Sequence, residues 1–246
     1  MSETIQSGAL YVVGTPIGNL DDISLRAIRI LGSVDIIAAE DTRTTRVLLK
    51  HLSIDKPLIS HHSYNETRRA PEILGMLRLG KSVAVVSDAG TPGISDPASL
   101  IIRRALAEGI PVIPIPGASA ILPALLLSGL PTDRFVFEGF LPVKKGRRTR
   151  LESLRHEPRT IILYESPGRV ERTLRDLLET MGDREVAVVR EITKKFEESL
   201  RGTIAEVLRR IKEKPPRGEH VVVVAGTRTR KGSVEEVGDV ADKNGF

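Results

Sequence analysis

The amino-acid sequence predicts an α/β protein made of two α/β domains, and three features predict it. Short β-branched runs alternate with amphipathic stretches of helical period, the pattern of strands covered by helices. The second half of the chain starts the same alternation again. Between the halves stands Ser128-Gly129-Leu130-Pro131-Thr132-Asp133, a cluster of residues that break both helix and strand. The expected division is an N-terminal domain over 1–129, a C-terminal domain over 130–226 and a polar tail over 227–246. The tail lacks hydrophobic periodicity and is expected to be disordered.

Strands are predicted in the first half at Leu10–Val13, Ile36–Ala39, Leu58–Ser60, Val83–Val86 and Val112–Ile115, each a short apolar run bounded by polar or turn residues. Helices are predicted near Ser24–Leu31, Thr44–His51, Glu66–Leu79, Pro97–Glu108 and Ser119–Leu127. Asp96 followed by Pro97 is a cap residue ahead of a proline suited to a first helical turn. The second half predicts strands at Phe135–Glu138, Thr160–Tyr164, Glu185–Val189 and His220–Ala225. Ser166-Pro167 opens a helix whose Val170, Leu174, Leu177, Leu178 and Met181 share one face. Thr203-Ile204-Ala205-Glu206 is a capping box heading the next helix.

Composition narrows the function classes. With 246 residues, 40 % of them hydrophobic, the chain can bury a sizeable core. It has no cysteine, which removes disulfides, thiolate metal sites and thiol nucleophiles together. No apolar run approaches the roughly 18 residues that would cross a bilayer, and MSETIQSGALYVV lacks the basic and apolar regions of a secretory leader. The expected compartment is the cytoplasm. The net charge of +5 is localised: between Pro142 and Arg159 seven basic residues face two acidic ones, so the rest of the chain is formally neutral. A basic segment on a neutral body predicts a local anionic partner.

In an open α/β sheet, ligands bind beyond the carboxyl ends of the strands. Three loops there are rich in glycine, proline and small polar residues: Gly14–Leu20, Ser87–Pro97 and Pro114–Ala120. Such loops let backbone approach a ligand closely. The first lacks G-x-G-x-x-G spacing, Pro16 has no N–H to offer a phosphate, and no G-K-[ST] follows; nicotinamide dehydrogenase and P-loop chemistry are therefore disfavoured.

The segments GTPIGNLDDIS, AEDTR, SDAGTPGISDP, PIPGASA, FEGFLP, YESP-x-R and REITKKFEE follow one another in order over residues 8–226. In these long, rigidly spaced motifs the chain resembles the cytidine 2′-O-methyltransferases of small-subunit ribosomal RNA, a family within the tetrapyrrole (corrin/porphyrin) methylase superfamily. Ala98 departs from the glycine of many relatives, at a helix start. The resemblance implies two α/β domains with S-adenosylmethionine in the cleft between them, a homodimer, and 16S rRNA or the 30S subunit as partner. It carries Pro16, Gly90, Thr91, Gly93, Ile94, Ser95, Ala118 and Ser119 over as cofactor contacts from the first domain, and Tyr164, Glu165, His220 and Val221 from the second. An acidic neighbour suits a ligand bearing a sulfonium and an ammonium, and Asp88 is the first-domain candidate.

A ribose hydroxyl is a poor nucleophile until its proton is taken or its developing charge is stabilised. The candidates are Asp41 and Arg43, with Arg190, Glu191 and Lys194. A neutral lysine would act as base only if burial depressed its pKa; a cationic Lys or Arg would instead stabilise an alkoxide. His61 and His62 point to opposite faces of an extended segment and match a metal site poorly, so no metal is expected. Asp21 and Asp22 read as helix-start charges. Lys144, Lys145, Arg147 and Arg148 are expected to grip rRNA phosphates, whereas 3 % aromatic content argues against an extended base-stacking platform. Two other readings share this sequence pattern: a small-molecule methyltransferase of the same fold, and an RNA-binding assembly factor without catalysis.

Overall fold

A computed structural model describes residues 5–213 and 217–227. The chain forms two five-stranded sheets. The first is built from β1 (Leu10–Val13), β2 (Ile36–Ala39), β3 (Leu58–Ser60), β4 (Val83–Val86) and β5 (Val112–Ile115) in the order β3-β2-β4-β1-β5. Every pairing in it is parallel. Helices cover both faces: α1 (Leu25–Ser33) and α2 (Thr42–His51) on one, α3 (Glu66–Arg78) and α4 (Ala98–Ala107) on the other. That double cover explains why β1 and β4 are apolar at every position rather than alternating.

The second sheet, β6-β7-β10-β8-β9, is mixed. β6 (Phe135–Phe140) and β7 (Thr160–Glu165) are parallel. β8 (Glu185–Arg190), β9 (Glu198–Thr203) and β10 (His220–Val224) join by antiparallel pairs. α6 (Arg147–Leu154), α7 (Pro167–Met181) and α8 (Ile204–Glu213) pack on one face, and α5 (Ile121–Ser128) packs on the other.

Local sequence accounts for the helix starts. Ser24 Oγ accepts from Ala27 N at 3.1 Å, and an Asp41 carboxylate oxygen accepts from Arg43 N at 2.8 Å. The capping box forms as expected: Thr203 N donates to Glu206 Oε2 at 3.0 Å while Glu206 N donates to Thr203 Oγ1 at 3.3 Å.

Three expectations need correction. α5 lies before the breaker cluster, yet its Ala124 and Leu125 pack with Ile162, Ala187, Val189, Val221 and Val223 of the second sheet. By packing, the division falls ahead of Ile121 rather than after Gly129. Strand β9 was not expected, because ESLRGT has neither alternation nor a long apolar run. Helix α6, within the basic segment, was not among the expected helices; only its Leu151, Leu154 and, against type, Arg147 are buried. The expected disordered tail lies, from residue 228 onward, outside the described residues. Among the described residues no helix is long and apolar enough to cross a membrane.

Candidate functional site

The strand ends of the first sheet and the near edge of the second enclose a cleft of about 520 Å³. The loop after β4 supplies one wall, from Ser87 to Asp96, and the turn before α5 supplies Ser119 and Ala120. The second sheet supplies Phe140, Tyr164, Glu165, Glu219, His220 and Val221. The loop after β4 is shaped by left-handed backbone at Gly90 (φ 82°), Gly93 (φ 90°) and Ser95 (φ 68°). For Ser95, a residue with a side chain, that conformation stores strain of a kind concentrated at ligand sites. An isolated bridge ties the loop to the first one: Thr15 N donates to Gly90 O at 2.9 Å and Gly90 N to Thr15 O at 3.0 Å.

Two glycines set the spacing beneath the cleft. A Cβ on Gly117 would sit 2.8 Å from Gly14 O, and one on Gly14 would sit 2.9 Å from Gly117 N, so the loops after β1 and β5 touch backbone to backbone. A bulge between Phe137 and Gly139 turns β6 so that Phe140 reaches the cleft.

The lining is acidic. Glu40, Asp88, Asp96, Glu165 and Glu219 line the cleft, and among the described residues no lysine or arginine does. Glu40 Oε2 accepts from Asp88 N at 3.2 Å, and Asp88 Oδ1 accepts from Asp41 N at 3.1 Å. Burial pushes the Glu40 carboxyl up, with the charges of Asp88 and Asp96 adding to the effect. Burial likewise raises Asp88, and Asp41 adds to it.

Glu165 is held from several sides. Ser166 N donates to its Oε1 at 2.9 Å, Thr173 Oγ1 to its Oε2 at 2.6 Å, and Arg169 Nε lies 3.2 Å away. Thr173 in turn accepts from Arg147 Nη2 at 2.9 Å, and Arg147 Nε pairs with Asp176 at 2.6 Å. His220 is buried, and its Nδ1 lies 2.8 Å from Gly218 O. A carbonyl only accepts, so Nδ1 carries the proton. Burial lowers the ring's pKa, which leaves Nε2 a bare acceptor with no partner among the described residues.

Of the cofactor contacts expected from sequence, Asp88, Gly90, Thr91, Ile94, Ser95, Ser119, Tyr164, Glu165, His220 and Val221 line this cleft. Gly93 does not; its N–H donates to Asp96 Oδ1 at 2.5 Å and it packs on α4. Ala118 lies behind Gly90. Pro16 instead lines a second cavity of about 270 Å³, which shares Ser87 and Asp88 with the first.

The expected catalytic group is rearranged. Arg43 Nη2 pairs with Asp41 Oδ2 at 2.6 Å, and hydrogen bonds from Arg43 hold Asp41 at about 2, a poor base. Arg190 pairs with Glu198 at 2.6 Å, and Lys194 Nζ with both Glu191 and Glu219 at 3.1 Å. Burial works against the Lys194 charge, but hydrogen bonds to Glu219 and Glu191 outweigh it and raise the pKa. These contacts favour the charged form of Lys194 over a neutral lysine base. Lys194 lies across Gly18, where a Cβ would collide with its aliphatic stem, so it fastens the first loop to the second half.

The phosphate grip also needs revision. Lys144, Lys145 and Arg148 are exposed, but Arg147 is 4 % exposed and committed to Asp176, Thr173 and Pro142 O. His61 is buried with neither ring nitrogen bonded among the described residues, while His62 stands edge-on to Tyr64 at 6.1 Å. Sequence reasoning passed over Glu40, Phe140 and Glu219. Glu40 was legible as a carboxylate at a strand's carboxyl end; Phe140 was hidden by the bulge.

Comparison with known proteins places this geometry. The family described as Tetrapyrrole (Corrin/Porphyrin) Methylases matches residues 9–208. A Thermotoga maritima protein named ribosomal RNA small subunit methyltransferase I is 50 % identical over 219 residues, covering 89 % of this chain and 99 % of that protein. A Synechocystis protein of the same name is 51 % identical over 221 residues, covering 89 % and 79 %. Among solved structures, a cobalamin-biosynthetic cobalt precorrin-4 methyltransferase superposes with TM-score 0.67 at 18 % identity, over 91 % of this chain and 98 % of that one. A Thermus thermophilus uroporphyrin-III C-methyltransferase complexed with S-adenosylhomocysteine gives 0.62 at 20 %, over 88 % and 97 %. These last two share the fold.

Proposed function

Since the chain belongs to the tetrapyrrole (corrin/porphyrin) methylase family, we propose that it is an S-adenosylmethionine-dependent methyltransferase acting on small-subunit (16S) ribosomal RNA, at the 2′-hydroxyl of a cytidine. The observation that carries the reading is the 50 % identity over 219 residues to a protein named for that substrate.

The cleft fits the cofactor. Of its five carboxylates, Glu165 and Glu219 are paired with Arg169 and Lys194, while Glu40, Asp88 and Asp96 form no ion pair among the described residues. Such a lining suits a ligand with a sulfonium and an ammonium, and opposes a dinucleotide with its phosphates. His220 Nε2, a buried acceptor without a donor among the described residues, fits an exocyclic amine on the adenine side. Gly90, Thr91, Ile94, Ser95 and Ser119 would hold the remainder. Bound there, S-adenosylmethionine supplies an electrophilic methyl group on a positively charged sulfur.

The chain's own residues do the rest. The strained loop and the Gly14–Gly117 contact fix the walls before a ligand arrives, which lowers the cost of aligning the reactants. Asp88, between the two cavities and with its carboxyl raised, is the group suited to take the hydroxyl proton onto a carboxylate oxygen. Lys194, fixed as a cation, keeps the first loop in register with the second half. Lys144, Lys145 and Arg148 meet RNA phosphates, and Arg147 braces the start of α6 from within. A cytoplasmic location and a homodimer belong to the same proposal; sedimentation of the purified protein tests the latter.

The test is purified protein with methyl-labelled S-adenosylmethionine and 30S subunits from a strain lacking the modification. Label on a cytidine ribose is expected. Label confined to bases or to small molecules overturns the proposal.

A further inference from the structure

The second cavity lies between the first loop and α2. Pro16, Leu20, Val47 and Leu48 give it apolar walls, and Thr44 and Thr45 bring hydroxyls. Ser87 and Asp88 form a partition shared with the cofactor cleft, so whatever enters each cavity meets across those two residues. At about 270 Å³ it falls just below the roughly 300–1,000 Å³ of drug-sized ligand sites: room for one small heterocycle with its sugar, and too little for a macrocycle. α2, which forms its outer wall, turns basic side chains to solvent, Arg43 among them although it is held by Asp41. Arg43, Arg46 and Lys50 lie between Thr42 and His51 without a single acidic residue.

We propose that this second cavity receives the unstacked acceptor nucleoside of the RNA, its base between Pro16, Leu20, Val47 and Leu48 and its sugar at the Ser87–Asp88 partition, with the cationic face of α2 taking the flanking phosphates. The inference rests on the rRNA reading and names the subsite that reading requires. Apolar walls suit the faces of a base, and the threonine hydroxyls suit its edge. An enzyme that modifies a nucleotide inside folded RNA gains by drawing it from the stack into a pocket of its own. The cofactor cleft, whose charged lining is acidic, offers no such welcome to a polyanion, whereas α2 does. This also explains why Pro16, expected against the cofactor, faces away from it.

Thr44 and Val47 are exposed at the rim, Val47 at 65 %, so larger side chains fill the mouth without entering the core. Thr44→Trp and Val47→Trp are compared with the unsubstituted protein in methylation of 30S subunits and in calorimetric titration with S-adenosylhomocysteine. A third measurement uses a short RNA carrying fluorescent pyrrolocytosine at the methylated position. Each variant is expected to lose about 100-fold in turnover, the scale of a small misplacement of reacting groups. S-adenosylhomocysteine affinity stays unchanged, and the fluorescence rise that reports unstacking disappears. Wild-type turnover in both variants overturns the proposal. So does a loss of turnover matched by an equal loss of S-adenosylhomocysteine affinity, because the cavity would then act through the cofactor cleft. An unsubstituted protein that leaves ribosomal RNA unlabelled sinks the parent reading itself, an outcome separate from the other two.

Discussion

Replacing Thr173 by valine removes one buried oxygen and almost no volume. That oxygen donates to Glu165 Oε2 at 2.6 Å and accepts from Arg147 Nη2 at 2.9 Å. Thr173 is 0 % exposed, Glu165 2 % and Arg147 4 %, so water does not replace the lost oxygen at either partner. Hydrogen bonds to charged groups contribute about 1.5–3 kcal/mol each. Two such losses set a ceiling near 6 kcal/mol, but both charged partners keep other contacts. Arg169 remains 3.2 Å from Glu165, and Arg147 retains Asp176 at 2.6 Å. A net cost of about 3 kcal/mol follows, which for a chain of this size lowers Tm by about 6–12 °C. Because Glu165 lines the cleft, S-adenosylhomocysteine binding also weakens, whereas Thr173→Ser, which keeps the hydroxyl, restores both. Scanning calorimetry and isothermal titration read the two effects. If Thr173→Val unfolds no earlier than Thr173→Ser and binds as tightly, the chain from Arg147 to Glu165 does not position the cleft.

Asp88→Asn is expected to lower kcat by about 10²–10⁴, the usual loss on removing a general base. A raised pKa means that Asp88 takes up its proton at higher pH than a free aspartic acid, near 3.9. The acid limb of the unsubstituted enzyme's kcat/KM profile therefore lies above that value, with activity lost as pH falls through it; a variant with the same limb and rate refutes the role. Gly117→Ala forces a Cβ to within 2.8 Å of Gly14 O. A cost of about 1–3 kcal/mol in denaturant unfolding is expected for such overpacking, and an unchanged midpoint would show that the loops part freely. Lys144→Glu with Arg148→Glu should weaken RNA binding and flatten its dependence on salt while leaving S-adenosylhomocysteine affinity alone, as filter binding at several salt concentrations will show.

Strands β1 to β5 were legible to the residue because each is a short, mainly apolar run bounded by polar or turn residues, and parallel strands covered on both faces need nothing subtler. The loops after β1, β4 and β5 were legible for a related reason: glycine and small residues announce close backbone approach. What escaped depends on contacts remote in sequence. Arg147 looks like any other member of a basic run, and only the side chains of Thr173 and Asp176, 26 and 29 positions away, draw it inward. Lys194 was weighed as a neutral base, but the two carboxylates that keep it charged include Glu219, 25 residues on. Strand β9 depends on a ladder with β8 that its own residues do not advertise.

Anyone cutting the gene to obtain the C-terminal half alone meets a difficulty that begins with α5. A fragment starting at the obvious breaker, Leu130, would leave behind Ala124 and Leu125 and present Ile162, Ala187, Val189, Val221 and Val223 to solvent as a bare oily sheet. Such a piece is expected to precipitate. Starting instead between Gly117 and Ile121 keeps the lid on that sheet, so the length of the connector that a protease or a cloning primer must respect is decided by a helix belonging, in chain order, to the other half.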